Sequence, residues 1–152
     1  MRFFHISDLH FGKLLYGYDL TEEHRNFIEQ LGNYCDKYNP DAVLIAGDVY
    51  DRSVPSADAM TLLDELLNKL SGRKVFIISG NHDNAKRLSF GKDFLKKHDI
   101  YISTVPQTGE NEKIEKVTFA DEYGNVNIYM LPFLKPALFK NSMPEEAAAG
   151  ED

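Results

Sequence analysis

Tryptophan is missing from this 152-residue chain, and cysteine occurs once, at Cys35. A lone cysteine excludes an internal disulfide and fits a reducing, cytoplasmic setting. No apolar run nears the roughly 18 residues needed to cross a bilayer, so no membrane span is expected. The opening Met1-Arg2-Phe3-Phe4-His5-Ile6 meets Asp8 and His10 too early for a secretory leader, which needs a longer apolar stretch and a cleavage site. Positive charge is also scarce: 17 Lys and Arg against 24 Asp and Glu give a formal charge of −7. That sign argues against a non-specific nucleic-acid coat, because neutralising phosphates takes a basic surface. The objection weakens if carboxylates surround divalent metals, since such ions bring their own positive charge. What remains is ordinary for one globular domain: 43% hydrophobic, 27% charged and 12% aromatic residues.

Short apolar runs alternate with amphipathic ones, which is the pattern of an α/β domain. Phe3-Phe4-His5-Ile6 reads as a first strand ending at Ser7. A helix follows from Leu20 to Tyr38, with Asp19 and Glu22 placed to cap it and Phe27, Ile28, Leu31, Tyr34, Cys35 and Tyr38 on one face. Ala42 to Ala46 is apolar throughout, as expected of a strand covered on both faces. Ser56 to Leu70 predicts a second helix with Met60, Leu63, Leu66, Leu67 and Leu70 inward, stopped by Ser71-Gly72. Val75 to Ile78 reads as a third buried strand, and a third helix is expected within Ala85–His98. Ile100–Ser103, Ile114–Phe119 and Val126–Leu131 read as later strands, the last two joined by a turn at Asp121–Asn125. The domain is expected over residues 1–140, and 141–152 carries no core pattern and reads as a frayed or truncated tail.

Chemistry-bearing residues gather where the three apolar strands stop. The first ends in Asp8-Leu9-His10, the second in Gly47-Asp48-Val49-Tyr50-Asp51-Arg52, the third in Gly80-Asn81-His82-Asp83. Ligands of open α/β sheets bind beyond the carboxyl ends of the strands, so these clusters should converge. Asp8 and His10 are two apart, and on an extended segment both point the same way. A carboxylate with an imidazole is half a coordination shell for Mn²⁺, Fe²⁺ or Zn²⁺. Gly47 permits the close approach that Asp48 needs to bridge two cations. Asn81 offers a neutral amide oxygen as a ligand, which leaves His82 free to work on substrate. Lys13 and Lys86-Arg87 flank the site and are within plausible reach of phosphates. His5 is expected to be a satisfied structural histidine, and His24 and His98 to be solvated.

Asp8-x-His10, then Gly47-Asp48-x-x-Asp51-Arg52, then Gly80-Asn81-His82-Asp83 resembles the signature of the calcineurin-like metallophosphoesterases, in family order. The resemblance implies an α/β sandwich with two divalent metal ions. Asp8 and His10 would bind the first metal, Asp48 would bridge, and Asn81 would bind the second. His82 would be the catalytic histidine, oriented by Asp51, with Arg52 in the position of a phosphate-binding arginine. The words around these residues, His5 to Lys13, Ala46 to Arg52 with Val54-Pro55, and Gly80 to Asp83 with Arg87-Leu88, are similar to the SbcD branch of DNA exonuclease subunits over residues 1–140. That branch implies Mn²⁺ as the usual metal (Fe²⁺, Zn²⁺ or Mg²⁺ being alternatives), DNA as substrate, homodimers, and an SbcC-type ATPase partner in DNA repair and recombination. The helices over 56–70 and 85–98 are candidates for the dimer face or for plain core.

The sequence also departs from that pattern. The family carries a later Gly-His pair and a Gly-His-x-His segment, and here no histidine follows His98. The expectation is a chain truncated before the second half of the sandwich, with little or no nuclease activity of its own. Two other functions fit the same residues. One is another calcineurin-like phosphoesterase, a phosphoprotein phosphatase or nucleotide phosphodiesterase. The other is a non-catalytic binding module.

Overall fold

The computed structural model describes residues 1–105 and 114–134. Its centre is a four-stranded, wholly parallel sheet of β1 (Phe3–Ile6), β4 (Ala42–Ala46), β5 (Val75–Ile78) and β6 (Ile100–Ser103), adjacent in that order. Between β1 and β4 lie a small hairpin, β2 (Leu14–Leu15) and β3 (Tyr18–Asp19), and helix α1 (Thr21–Tyr38). Helix α2 (Ala57–Lys69) connects β4 to β5, and two short helices, α3 (Ala85–Leu88) and α4 (Lys92–Lys96), connect β5 to β6. A second hairpin, β7 (Lys116–Asp121) with β8 (Gly124–Tyr129), follows. Parallel neighbours require crossovers, and the helices supply them. This is a mixed α/β architecture, as the alternation of apolar and amphipathic runs predicts.

Alternate residues of a strand face opposite sides of the sheet. Val43, Ile45, Val75, Ile77, Ile100 and Ile102 join Ile28, Leu31 and Cys35 of α1 and Leu62, Leu63 and Leu66 of α2 in the larger core. The other face is smaller, with Ala42, Phe76 and Met130 at its centre and Phe3, Leu44, Tyr101, Val117 and Phe119 around them. Phe119 of β7 meets Phe3 edge-on at 5.2 Å, and Phe76 stacks on Tyr101 at 5.0 Å. Arg25 of α1 pairs with Glu65 of α2 at 3.2 Å, and Lys69 with Glu29 at 2.6 Å, which fastens the two helices along their solvent edge.

Several local expectations needed correction. On α1, Tyr34 and Tyr38 are exposed and stack on each other, outside the buried face. Asp19 does not form a capping box with Glu22; its carboxylate accepts from the backbone N–H and hydroxyl of Thr21. Met60 of α2 is 54% exposed, and Ala59 and Leu62 take the inward positions instead. The helix expected within 85–98 is broken in two by Gly91, whose φ of +73° is left-handed. The later hairpin strands begin and end about two residues away from the positions expected (Lys116–Asp121 and Gly124–Tyr129). The β2–β3 hairpin was not foreseen. Its turn, Tyr16-Gly17, has both φ angles positive, as a type I′ turn demands. His5 is exposed rather than structurally satisfied, and His24 is half-buried rather than solvated; His98 is exposed as expected. The 140/141 boundary and the tail lie outside the described residues. No helix among the described residues is long and apolar enough to cross a membrane.

The rotation of α2 has a measurable consequence. Leu66 is fully buried, so Leu66→Ala is expected to cost about 2–5 kcal/mol in urea unfolding. Met60→Ala, on the exposed side, is expected to stay within about 0.5 kcal/mol. Equal losses in the two variants would contradict this orientation of the helix.

Candidate metal centre

Because β1, β4 and β5 are parallel and in register, their following loops leave the same edge of the sheet. The loop after β1 continues alongside the loop after β4. Asp8 N–H donates to Gly47 O at 3.1 Å, His10 N–H to Asp48 O at 2.9 Å, and Phe11 N–H to Val49 O at 2.9 Å. Asp51 N–H donates back to Phe11 O at 3.1 Å, so Phe11 and Tyr50 form a further parallel bridge. The loop after β5 is tied in by side chains. Asp83 accepts from Val49 N–H at 3.2 Å, Tyr50 N–H at 2.9 Å and Gly80 N–H at 2.9 Å. Asp48 accepts from His82 N–H at 3.0 Å.

The backbone is under strain here. Asp8, His10 and Asp48 have φ of +55°, +46° and +49°. Left-handed conformation costs a residue with a Cβ about 1–2 kcal/mol. Three such residues in one place indicate a geometry held by its surroundings, as functional sites often are. Two glycines let the loops meet. A Cβ on Gly80 would lie 2.1 Å from Asp48 Oδ1 and 2.4 Å from Asp48 N. A Cβ on Gly47 would lie 2.9 Å from Gly80 Cα.

Two overlapping donor sets result. Asp8, His10 and Asp48 each place a ligand atom within 4.8 Å of the others, and so do His10, Asp51 and His82. His10 Nε2 lies 3.8 Å from Asp8 Oδ1 and 3.9 Å from Asp48 Oδ2. His10 Nδ1 lies 3.2 Å from Asp51 Oδ1 but lacks hydrogen-bond geometry, so this buried nitrogen has no partner among the described residues. His10 thus offers Nε2 between the Asp8 and Asp48 carboxylates and an unpartnered Nδ1 beside Asp51, and imidazole nitrogen with carboxylate oxygen is a donor set suited to Mn²⁺, Fe²⁺ or Zn²⁺. The residues present fit a divalent metal.

The remaining sequence-predicted residues surround these donors. His82 is exposed, and its ring meets that of His10 edge-on at 4.9 Å. Its Nδ1 lies 2.8 Å from the main-chain carbonyl of Asp51. Asp51 therefore engages His82 through its backbone, while its carboxylate faces His10. That carbonyl holds the His82 pKa above the ordinary histidine value, against the opposing effect of desolvation and with help from the Asp48, Asp51 and Asp83 carboxylates. Tyr50 is pushed up to about 12 by burial and by Asp83, which removes it as a proton carrier near neutrality. Asn81 is exposed and lines a cleft of about 500 Å³ with Ser53, Lys86 and Phe133. Arg52 is exposed, 4.0 Å from Asp51 Oδ2, and borders a second cleft of about 320 Å³ with Gly12 and Ser56.

Sequence reasoning missed Asp83 as the residue joining the second and third loops. It gave Asn81 to the metal and His82 to the substrate and assigned Asp83 no task. The helix that follows is capped by Asn84, whose side chain accepts from Lys86 and Arg87 N–H at 3.1 Å each.

An α/β domain with a carboxylate–imidazole centre at its strand ends is thereby defined. The family model for calcineurin-like phosphoesterases matches residues 1–147, and the chain belongs to that family, whose members depend on divalent metals. The SbcD component of nuclease SbcCD from Staphylococcus epidermidis is 34% identical over 136 residues, covering 88% of this chain and 34% of the relative. The chain thus spans about a third of the length of that curated relative.

Gly80→Ala is expected to destabilise the protein by about 1–3 kcal/mol, because its Cβ must displace Asp48. An unchanged melting curve would contradict the close approach of the two loops.

Proposed function

We propose that this chain carries the first ligands and the proton donor of a two-metal phosphodiesterase centre, of the kind that cuts DNA. The observation that carries the reading is the convergence of Asp8, His10 and Asp48 within 4.8 Å at the ends of parallel strands. In this assignment Asp8 and His10 would hold the first ion, Asp48 would be shared by both, and Asn81 would hold the second. When bound, the metal pair supplies Lewis acidity toward phosphate oxygens and toward water.

The chain's own residues do the rest. Nδ1 of His82 donates its proton to the Asp51 carbonyl, which fixes the ring and leaves Nε2 for substrate. A ring held in this way keeps Nε2 available to give a proton to the leaving oxygen as charge builds there. Arg52, exposed and 4.0 Å from Asp51 Oδ2, takes the part of binding a phosphate oxygen on this reading. Lys86 lines the same cleft as Asn81.

The similarity to a component of nuclease SbcCD supports the nuclease reading; DNA as substrate, an SbcC-type ATPase as partner, Mn²⁺ as the metal and a cytoplasmic role in DNA repair and recombination complete the proposal. Catalysis on this reading needs the later Gly-His and Gly-His-x-His segments, neither of which occurs in these 152 residues. The chain alone is therefore expected to bind Mn²⁺ weakly and to degrade DNA slowly or not at all.

In calorimetric Mn²⁺ titrations, Asp48→Ala is expected to lose binding at both positions, while His82→Ala keeps it. In a longer polypeptide carrying the missing histidines, His82→Ala should lower hydrolysis by about 10²–10⁴-fold. Equal metal loss in the two variants would sink the assignment. Preference for a phosphomonoester over a phosphodiester would shift the reading to a phosphatase.

A homodimer is part of the same proposal. Met60 on α2 and Phe90 and Phe94 at α3 and α4 are 54%, 85% and 65% exposed, large apolar side chains that a second copy would cover. Light scattering is expected to show a dimer that Phe90→Asp converts to a monomer. A monomeric wild-type chain at high concentration would refute this face.

A further inference from the structure

Two clefts open beside the donor cluster, and they divide the segment Asp51-Arg52-Ser53 between them. Asp51 and Arg52 line the smaller one, and Ser53 lines the larger one, of about 500 Å³, together with Asn81. The two differ in chemistry. The smaller carries Asp19, Asp51 and Asp58 against Arg52. The larger carries Lys86, and the Asp83 carboxylate that borders it is held by three backbone N–H groups. An anionic substrate is therefore received better by the larger cleft.

The larger cleft also has apolar lining. Val105, just past the end of β6, is 64% exposed, and Phe133, after β8, is 45% exposed. The buried Ser79 fixes the backbone on this side. Its N–H donates to Ser103 O at 3.1 Å, its hydroxyl to Thr104 O at 3.2 Å, and its carbonyl accepts from Phe133 N–H at 2.9 Å. Pro132, next to Phe133, is buried, as is Met130. One residue at the end of β5 thus sets the course of the chain after β6 and after β8, and an aromatic side chain stays partly uncovered in the cleft. The polar lining comes from the loop after β5 and from α3, as Asn81, Asn84 and Lys86. Asn84 spends its Oδ1 on the N–H groups of Lys86 and Arg87, so its amide N–H groups are what it has left for a ligand.

An aromatic surface, amide donors and an ammonium group beside the proposed metal ligands match a nucleotide. A flat base offers its face to the ring and its edge acceptors to the amide, and a phosphate suits the lysine. We infer that this cleft is the nucleoside subsite of the metal centre, with Phe133 as the residue on which a nucleobase of the bound strand stacks. The inference rests on the phosphodiesterase reading proposed above and deepens it, because a base subsite selects nucleic-acid phosphodiesters over phosphoproteins and small phosphate esters. Every base has a π face, so stacking on Phe133 recognises nucleic acid without reading its sequence.

The test uses the whole chain without metal, so that the subsite is judged apart from the centre. Deoxyadenosine monophosphate is titrated into isotope-labelled protein, with deoxyribose 5-phosphate as the probe that keeps the phosphate and lacks the base. The nucleotide is expected to shift the amide signals of Ser79, Val105 and Phe133 and to show cross-relaxation between its base protons and the Phe133 ring. The sugar phosphate is expected to leave those signals in place. These contacts in the wild-type protein need no variant to fold. Phe133→Ala is expected to weaken nucleotide binding roughly tenfold, and Phe133→Tyr to keep it. Equal shifts from the two probes, wild-type affinity in Phe133→Ala, or base contacts elsewhere on the surface would each overturn the subsite. Should Asp48→Ala leave Mn²⁺ binding untouched, the metal reading fails instead, while the titration, run without metal, still decides the base subsite.

Discussion

The Asp83 carboxylate, accepting three backbone N–H groups, is the constraint on which the site depends. Two of its donors, Val49 and Tyr50, belong to the loop after β4, and the third, Gly80, to the loop after β5. Parallel strands deliver their loops to one edge but do not bring those loops into contact. Asp83 closes that gap, and the facing Gly47 and Gly80 let the backbones come near enough for it to do so. Asp48 then takes the one orientation in which it can receive the His82 N–H and still face His10. An anionic group with three good donors is inexpensive to bury, whereas three amides without it would be left unpaired.

The two faces of the sheet divide the labour. The larger core, formed with α1 and α2, also takes in Leu9, Phe11, Val49 and Tyr50 from the site loops. The proposed ligands Asp8, His10 and Asp48 alternate with, or adjoin, those core residues in sequence. Burial of the apolar neighbours is therefore what aims the polar ones. The smaller face, covered by the β7–β8 hairpin, contributes differently. Phe133 N–H donates to Ser79 O, and the Ser103 hydroxyl to Met130 O, so the segment after β8 is fastened near the end of β5.

Much of this was legible in the residues themselves. Ala42–Ala46, Val75–Ile78 and Ile100–Ser103 were readable strands because unbroken apolar runs of that length suit a sheet covered on both sides. The convergence of Asp8, His10, Asp48, Asp51 and His82 followed from their place at the strand ends. Other features depend on contacts between distant segments. The inward face of α2 was misjudged because hydrophobic weight favoured Met60 over Ala59. Ala59 is inside because Gly12 packs against it, a Cβ on that glycine lying 3.0 Å from the Ala59 Cβ. His24 read as solvated because its neighbour, Phe11, comes from a loop whose path no helical pattern shows. The Tyr16-Gly17 hairpin joins strands of two residues, too short for any alternation to register.

Charge itself calls for a cation at this edge of the sheet. Asp8, Asp48 and Asp51 crowd around one imidazole, with Asp83 just behind them. Asp83 is accounted for by backbone donors, and one oxygen of Asp48 by the His82 N–H. The facing oxygens of Asp8, Asp48 and Asp51 have no such partner in common among the described residues, and Arg52 reaches only Asp51, at 4.0 Å and largely in solvent. A lone exposed guanidinium contributes little to holding these oxygens. Three left-handed φ angles raise the energy of the same few residues. A ligand that binds only this folded arrangement stabilises it by mass action. A divalent ion meets that requirement with the oxygen and nitrogen donors already in place, and among the described residues of this acidic chain no side chain does.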